Sequence, residues 1–531
     1  MQAPKLIYDR LKADPVFVIF LVSFITVGCV LSGTHYRYLV NPDATSYFSI
    51  AQNYAHGHIH QALSGYWSPL LSWLLVPAVW LDMNLLTTAR VILTLSGAAI
   101  LIILYLALAR AGAGKSVRLV AAASLAPVLL KIVFGPVSPD ILFALLCLIF
   151  AILAGRLLYR PDVEVAIMTG LAGTLMFFAK GFGFYLFIAV LIFAGAWQLL
   201  RVKKLDRSFL VRQTLTALAV FLVTSGIFIA LISHKYHALT INQAGSFDHA
   251  AYGPRDYNSP LVLENLGPLP PPDGSAISVW ADPSTLINKE PDHGWSPLAS
   301  KSNFKFFVRT IVAKNVGKAA AIIYHFGPFI LLGALILLWL SLQGGYRRRA
   351  SLLVLISLLS VGGYSLVYIE DRYLLDVAIF SALALGLGLH AVQNRTKLPR
   401  IYFGIIAALA IASAGISVFT GIYNSIPPDK PDYLAARQLG AIIPAGSNII
   451  SDRFRSYKLC YDSRLRCYGV INPSADNQAD YKTDLQNYGI SYLVSYGPPK
   501  NQITANFISE NFQLVGQTDQ GQNLKIYKIK N

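Results

Sequence analysis

The sequence contains little charge and few acidic residues. Only 13% of its 531 residues are charged, and 27 Asp and Glu stand against 44 Lys and Arg. Soluble domains usually carry about 25% charged residues, so the composition excludes an ordinary soluble protein. What the chain has in abundance is apolar surface: 55% of its residues are hydrophobic, and its mean hydropathy is +0.51. These values are typical of a polytopic membrane protein.

About eleven apolar stretches approach or exceed the length that spans a bilayer, which is about 20 residues for a helix. We therefore predict a polytopic α-helical membrane protein with about eleven transmembrane helices. The predicted spans cover residues 16–33, 86–109, 119–134, 141–158, 165–178, 182–200, 215–232, 320–340, 351–368, 374–390 and 401–422.

The positive charges predict the orientation of these spans. With the amino terminus in the cytoplasm, every basic cluster falls on the cytoplasmic side, as polytopic proteins prefer. The net charge of +17 then needs no nucleic acid, because a nucleic-acid-binding protein would need a basic patch on a soluble surface. The clusters that follow this bias contain Lys5, Arg10, Lys12, Arg110, Lys115, Arg118, Arg156, Arg160, Lys203, Lys204, Arg207, Arg347, Arg348, Arg349, Arg395, Lys397 and Arg400.

Three long polar segments, 34–85, 234–317 and 423–531, then lie outside the cytoplasm. The apolar run 67–81 within the first of them is predicted to be an interfacial or re-entrant helix, because a crossing there would reverse every later basic cluster. The middle segment is rich in proline, and its aromatic residues either line a substrate groove or anchor the segment at the headgroups, the second being favoured. These aromatics are Tyr252, Tyr257, Trp280 and Trp295.

We predict two domains, a transmembrane domain over 1–422 and a small extracytoplasmic α/β domain over 423–531. In the latter, 432–439 is predicted as a helix and 448–451, 488–495 and 524–527 as strands. Cys460 and Cys467 lie close together there. A disulfide and a metal pair are both open, and the disulfide is favoured because no further ligand stands near them at suitable spacing.

The segment 34–85 offers a candidate catalytic residue, Asp43, in a motif that begins at Asn41, about eight residues beyond the first span. A carboxylate at the membrane surface can accept a proton from an incoming hydroxyl or amine. The alternative is a helix cap, since an Asp after Pro42 is a common start signal for a helix.

Further ionisable residues occur at the predicted outer ends of spans. Such residues are costly near lipid and are therefore functional candidates. Each has a structural alternative: Asp140 can cap its helix, Lys180 can extend to the headgroups, and Arg372 can pair locally with Asp371 or Asp376. Together they would form a site with a base and with cations that hold phosphate, made of Asp43, Asp140, Lys180, Glu370, Asp371, Arg372 and Tyr373.

These motifs resemble those of the GT-C glycosyltransferases, in the bacterial branch related to protein O-mannosyltransferases and the lipid A aminoarabinose transferase. The resemblance extends from the amino terminus into the tail. It rests on the Asp43 loop with 65–70 (GYWSPL), the span near Arg90, 138–140 (SPD), 179–182 (AKGF) and 370–373 (EDRY).

The resemblance implies a polyprenyl-phosphate monosaccharide as donor, a lipid, glycan or protein as acceptor, and inversion at the anomeric carbon. Asp43 would be the general base, Lys180 and Arg372 would hold the donor phosphate, and Asp140 would position Lys180 or the donor. Donor or substrate binding is also assigned to Tyr66, Tyr373 and Glu370. The implied location is a bacterial inner membrane, with the carboxy-terminal domain in the periplasm.

The sequence departs from the family pattern at two positions. The acidic pair common in the first loop is Asp43-Ala44, and the lysine often found before the loop's proline is Ser68. Some members use a divalent metal ion, for which this sequence offers no clear cluster. A transporter or flippase for lipid-linked sugars is the alternative interpretation, although it predicts ionisable residues nearer the membrane midplane.

Overall fold

A computed structural model of the protein describes residues 14–159, 162–199, 204–252, 267–272, 276–285, 296–344, 347–396, 399–423, 429–453, 456–474, 478–499 and 501–530. Several residues used in the predictions lie outside these ranges, namely Lys5, Arg10, Lys12, Arg160, Lys203, Lys397, Tyr257 and Trp295.

The chain forms two compact units, each assembled from three stretches of sequence. The first comprises Met1–Thr34, Ala89–Leu231 and Ser300–Ser425, and the second comprises His35–Thr88, Ile232–Ala299 and Ile426–Asn531. Helices Leu85–Arg110 and Lys204–Tyr236 contribute residues to both units. Most of the segments predicted to be polar loops thus belong to one unit with the carboxy-terminal domain.

The first unit is built of apolar helices. Besides the two shared helices, it contains Pro15–Gly33, Lys115–Phe134, Asp140–Tyr159, Val163–Ala179, Phe182–Leu199, Lys301–Phe306, Ala313–His325, Pro328–Leu342, Arg347–Ser365, Leu375–Thr396 and Arg400–Tyr423, with a π-helical turn over Phe307–Val312 and a 3-10 turn over Asp371–Leu374.

Among the described residues, six helices are long and apolar enough to cross a membrane. They are Pro15–Gly33, Leu85–Arg110, Lys115–Phe134, Asp140–Leu158, Arg207–Tyr236 and Asp371–Arg395. Four shorter apolar helices cover Leu70–Trp80, Val163–Ala179, Phe182–Trp197 and Ile401–Ala412. The chain is an integral membrane protein of several spans, whereas the predicted number of about eleven stays a prediction.

One predicted span is wrong as a single helix. Residues 320–340 are divided between Ala313–His325 and Pro328–Leu342, and the axis bends by 116° between the two helical segments. Gly327 at the bend has a φ of +103°, a conformation that favours glycine, and Pro328 begins the second helix. Because proline lacks the N–H that would continue the first helix, the local sequence starts a new one.

Small residues let the helices of the first unit pack closely. A Cβ built on Gly333 would lie 2.1 Å from the carbonyl oxygen of Ser381, so only glycine fits where these two helices meet. Close packing of this kind is the main source of helix association in lipid, where burying apolar surface gives no advantage.

The second unit contains the helices of the 34–88 segment and the carboxy-terminal domain. Helix Leu70–Trp80 packs on helix Pro42–Ala55, and the Ser72 hydroxyl donates to the Tyr47 carbonyl at 2.9 Å. With 11 residues, Leu70–Trp80 is about 16 Å long and too short for a bilayer core of about 30 Å. The unit's other helices are Ile59–Ala62, Ala244–Tyr252, Lys430–Ile442, Tyr457–Ser463, Gln478–Asn487 and Gln502–Asn511, with a 3-10 turn at Val279–Ala281.

The carboxy-terminal domain contains a mixed five-stranded sheet. Its strands are β1 Asn448–Ser451, β2 Arg466–Val470, β3 Ile490–Ser495, β4 Phe512–Gln517 and β5 Lys525–Ile529. They lie in the order β2-β1-β3-β5-β4. β1 is parallel to both neighbours, whereas β5 is antiparallel to β3 and β4. Apolar clusters cover both faces of the sheet, which confirms the predicted small α/β domain.

A disulfide joins helix Tyr457–Ser463 to β2 through Cys460 and Cys467, whose sulfur atoms are 1.99 Å apart. Cys147 is buried and Cys29 is half-buried, and both are free thiols. Of the alternatives that the sequence left open for Cys460 and Cys467, the structure therefore has the disulfide.

Candidate active site

A buried carboxylate in the first unit gathers two cations. Asp140 begins helix Asp140–Tyr159, where the helix dipole favours its charge. Its Oδ1 is 2.6 Å from Lys180 Nζ, and its Oδ2 is 3.6 Å from Arg372 Nε. The Ser138 hydroxyl donates a further hydrogen bond to Oδ2 at 2.6 Å. Three residues that are far apart in sequence are thus brought together.

Lys180 stands at the end of helix Val163–Ala179, at a break before helix Phe182–Leu199. Its Nζ lies 3.5 Å from the ring centroid of Tyr373 and 4.7 Å from that of Tyr364. The two rings are stacked with centroids 4.7 Å apart. Cation–π contacts favour a charged ammonium in a poorly hydrated place, and the Lys180 side chain still keeps 20% of its surface exposed.

Arg372 lies in the 3-10 turn Asp371–Leu374 before helix Leu375–Thr396. Its Nε donates to Glu370 Oε2 at 2.6 Å. The neighbouring Asp371 forms a separate, exposed ion pair with Lys131 at 2.9 Å. The Arg372 side chain therefore forms ion pairs with Glu370 and Asp140, and its backbone amide donates to Asp371 Oδ1 at 2.9 Å.

The charges of this cluster are balanced, with Lys180 and Arg372 against Asp140 and Glu370. Both cations are partly accessible, and Asp140 is only 3% exposed. An anionic ligand can bind by taking over hydrogen bonds from the cations while Asp140 stays in place to orient them. The arrangement suits a phosphate group, whose oxygens match both an ammonium and a guanidinium.

Asp43 and Tyr66, the other two predicted site residues, belong to the second unit. Asn41 is the N-cap residue of helix Pro42–Ala55, and Asp43 lies in the first turn. The Asn41 side chain makes no capping hydrogen bond, and the helix dipole favours the negative charge of Asp43 in the first turn. Most of the helix beyond Asp43 is buried, whereas Asp43 itself is half-buried.

Tyr66 is surrounded by aromatic rings. Its centroid is 4.5 Å from that of Trp67, 5.4 Å from that of Phe247 and 6.0 Å from that of Trp280. Its hydroxyl donates to Asp248 Oδ1 at 3.2 Å. Of the aromatics predicted in the middle segment, Trp280 thus packs inside the unit.

Sequence reasoning missed three residues that the structure brings into polar networks, namely Tyr364, Lys235 and Asp282. Tyr364 covers Lys180, and its aromatic character gave no signal inside an apolar span. Lys235 is 2.9 Å from Asp282 in the second unit. A signal existed for Lys235, because, like Lys180, it lies on the predicted outer side against the positive-inside bias.

Within the described ranges, no group of three or more His, Cys, Asp or Glu side chains is arranged to hold a metal ion. The cluster around Asp140 contains two carboxylates, but two cations occupy the space next to them. The structure therefore assigns no residues to the divalent ion used by some proteins that the sequence resembles.

These helices, with the carboxy-terminal α/β domain, form the fold of the GT-C membrane glycosyltransferases. The crystal structure of ArnT from Cupriavidus metallidurans bound to undecaprenyl phosphate superimposes with a TM-score of 0.54 over 96% of this chain and 98% of that one, at 14% identity. Its apo state gives a TM-score of 0.55 over 96% and 97%, at 13% identity.

The Archaeoglobus fulgidus oligosaccharyltransferase, in its apo form, superimposes with a TM-score of 0.54 over 90% of this chain and 69% of that one, at 15% identity. No protein-family model and no curated protein matches the sequence. These structural similarities confirm that the chain has the fold that the sequence resemblance predicted.

Proposed function

We propose that this protein is an inverting glycosyltransferase that moves a monosaccharide from a polyprenyl-phosphate donor to a lipid, glycan or protein acceptor. Its fold supports this proposal, as does the undecaprenyl phosphate bound to ArnT, a protein of similar fold. Transfer would occur at the outer face of a bacterial inner membrane, because the basic residues predict a cytoplasmic amino terminus and a periplasmic carboxy-terminal domain.

The observation that carries the proposal is the cluster of Asp140, Lys180, Glu370 and Arg372. Buried charges are costly, and a balanced group of four is expensive to maintain for stability alone. Cations that are partly accessible at the ends of apolar helices suit the headgroup phosphate of a lipid ligand. In such a poorly hydrated place, each cation interacts with phosphate several times more strongly than in water.

In the proposed reaction, an acceptor oxygen or nitrogen attacks the anomeric carbon from the face opposite the phosphate. The bond between that carbon and the phosphate oxygen breaks, and polyprenyl phosphate leaves with the electron pair. Asp43 takes the proton from the acceptor. Lys180 and Arg372 stabilise the charge that develops on the phosphate.

The remaining predicted site residues have supporting roles in this proposal. Asp140 and Glu370 orient the two cations through the ion pairs described above. Tyr373 limits the movement of Lys180 by lying against its ammonium group. Tyr66 contacts the sugar or the acceptor, for which an aromatic face beside a carboxylate is well suited.

The test compares Asp43→Asn with Asp82→Asn in a strain that lacks the native gene. Both residues lie in the same segment, but Asp82 is exposed and has a φ of +50°, which Asn tolerates. Removing a general base slows transfer about 10²- to 10⁴-fold. Mass spectrometry of membrane lipids and envelope glycans should therefore show the loss of one monosaccharide with Asp43→Asn and normal glycans with Asp82→Asn.

Unchanged glycans with a folded Asp43→Asn protein would contradict the proposed mechanism. In the deletion strain, accumulation of the sugar-linked lipid on the cytoplasmic side would instead favour the alternative function as a transporter or flippase. Thermal unfolding of both variants in detergent distinguishes loss of chemistry from loss of the folded protein.

A further inference from the structure

Asp282 is a buried carboxylate in segment 276–285, with three side-chain donors around it. It is only 2% exposed. Its Oδ2 accepts from Lys235 Nζ at 2.9 Å and from the Tyr236 hydroxyl at 2.6 Å. Its Oδ1 accepts from the Ser64 hydroxyl at 3.3 Å. A single carboxylate thus ties the end of helix Lys204–Tyr236 to the 34–88 segment.

Lys235 and Tyr236 also hydrogen-bond the backbone before Tyr66, as does the backbone of Gln243. Lys235 Nζ donates to the carbonyl of Leu63. The Gly65 amide donates to the Tyr236 hydroxyl at 2.9 Å, and the Gly65 carbonyl accepts from the Gln243 amide at 2.8 Å. The backbone on the amino-terminal side of Tyr66 is therefore held from both faces.

The Trp280 carbonyl, two residues before Asp282, holds the helix that carries Asp43. It accepts from the Ser46 hydroxyl at 2.7 Å and from the Trp67 indole N–H at 2.9 Å. Ser46 is buried and lies three residues after Asp43 in helix Pro42–Ala55. A shift of the Trp280 carbonyl would therefore move the first turn of that helix.

The other end of the segment is attached to the carboxy-terminal sheet. The Ile277 carbonyl accepts from the Cys467 amide at 2.7 Å, and Ser278 forms a parallel bridge with Cys467. Cys467 lies on β2, an edge strand, and is held to helix Tyr457–Ser463 by the disulfide. That helix in turn contacts helix Pro42–Ala55, with Phe48 and Tyr461 rings 5.5 Å apart.

We infer that segment 276–285 holds the Asp43 helix and the 65–67 turn in position, and that Asp282 is a positioning residue for the proposed base. This inference rests on the proposed function in one respect, because that function makes Asp43 the base whose position matters. The segment has no direct part in the chemistry. Its effect is to fix Asp43 between a rigid sheet and a buried ionic network, because a misplacement of about 1 Å can cost about 100-fold in rate.

The experiment uses the full chain in detergent with Asp282→Asn. Asparagine has a similar shape but leaves the Lys235 charge without its counter-ion. Amide hydrogen exchange over residues 42–67 should become about tenfold faster, which corresponds to the loss of a typical buried hydrogen bond. Sugar transfer should slow about 100-fold in kcat, while the affinity for undecaprenyl phosphate, measured as the probe, should stay unchanged.

Two further variants guard against simple misfolding. Ser46→Ala removes the hydroxyl that donates to the Trp280 carbonyl at 2.7 Å and also lies 3.1 Å from the Pro42 carbonyl. It should cause a smaller loss of kcat with an unchanged thermal transition. Thr285→Val is the matched control: its hydroxyl donates to the Asp282 carbonyl at 2.9 Å, within the same turn, and the exchange and turnover of this variant should equal those of the native protein.

Native exchange over 42–67 in a folded Asp282→Asn protein would overturn the inference. So would a loss of thermal stability with unchanged turnover per folded molecule, because that describes a purely structural residue. The native protein could also transfer no sugar while Asp282→Asn still speeds amide exchange over residues 42–67. The proposed function would then fail, but the positioning of the Asp43 helix by segment 276–285 would be supported.

Discussion

The two units each bury a lysine and aspartate pair, and the pairs differ in what surrounds them. Lys180 and Asp140 in the first unit are 2.6 Å apart, with side chains 20% and 3% exposed. Lys235 and Asp282 in the second unit are 2.9 Å apart, with side chains 12% and 3% exposed. By separation and burial alone, the pairs would be assigned the same role.

Their other partners separate them. Asp282 accepts from Tyr236 and Ser64, and Lys235 donates to a backbone carbonyl, so each member of this pair has fixed additional partners. Asp140 instead attracts a second cation, and Lys180 lies against tyrosine rings that a ligand can compete with. A buried ion pair with fixed additional partners holds segments together, whereas a pair whose carboxylate is shared with a second, partly accessible cation can bind an anion.

The largest expected difference between the two pairs appears when each lysine is replaced in turn. Lys235→Met leaves Asp282 charged, buried and without a counter-ion, and should lower the free energy of unfolding by about 3 kcal/mol. Lys180→Met should cost less, because Arg372 remains near Asp140. Thermal unfolding in detergent measures both, and a larger loss for Lys180→Met would reverse the roles assigned to the two pairs.

A second prediction concerns ligand affinity. Lys180→Gln should weaken binding of undecaprenyl phosphate about 10- to 100-fold, because a hydrogen bond to a charged group is worth about 1.5–3 kcal/mol. Lys318→Gln is the matched control: Lys318 also lies over a tyrosine ring, 4.5 Å from the Tyr368 centroid, but is exposed. Equal affinities for the native protein and both variants, measured by native mass spectrometry, would exclude Lys180 from phosphate binding.

The sequence was enough to predict the class of fold because membrane helices depend on local composition. Ten of the eleven predicted apolar runs coincide with single helices, and Pro328 after Gly327 contained the signal for the break in the other. The same reasoning predicted β1, β3 and β5 of the sheet but missed β2 and β4. β2 (RCYGV) contains a glycine, and β4 (FQLVGQ) is mostly exposed, so neither has a strong apolar pattern.

The site was predictable only as a set of candidates. Asp140, Lys180 and Arg372 were conspicuous because charge is rare near apolar spans, and the structure brings them together. The network around Asp282 was not predictable, because its members come from three distant parts of the chain. Their importance lies in hydrogen bonds between those parts, for which a single sequence contains no pattern.

The carboxy-terminal domain contains a third lysine cluster, in which carboxylates outnumber the cation. Lys458 is 2.6 Å from Asp429 and 3.9 Å from Asp432. Burial, together with the negative charges of Asp429 and Asp432, raises the pKa of Asp462 to about 7. This cluster sharpens the comparison, because its carboxylates outnumber its cation, whereas the charges around Asp140 are balanced.

The raised pKa predicts a pH dependence with a definite sign. Because the folded state holds the Asp462 proton more tightly than the unfolded state, its contribution to stability is complete below about pH 4 and is lost as the pH rises through about 7. The free energy of unfolding should therefore fall by about 1 kcal/mol between pH 6 and pH 8.

Asp462→Asn, which cannot ionise, should remove this decline. Thermal unfolding at both pH values measures the difference. Asp519→Asn, at an exposed carboxylate of the same domain, should keep it, and an equal decline in the native protein and both variants would show that another group titrates.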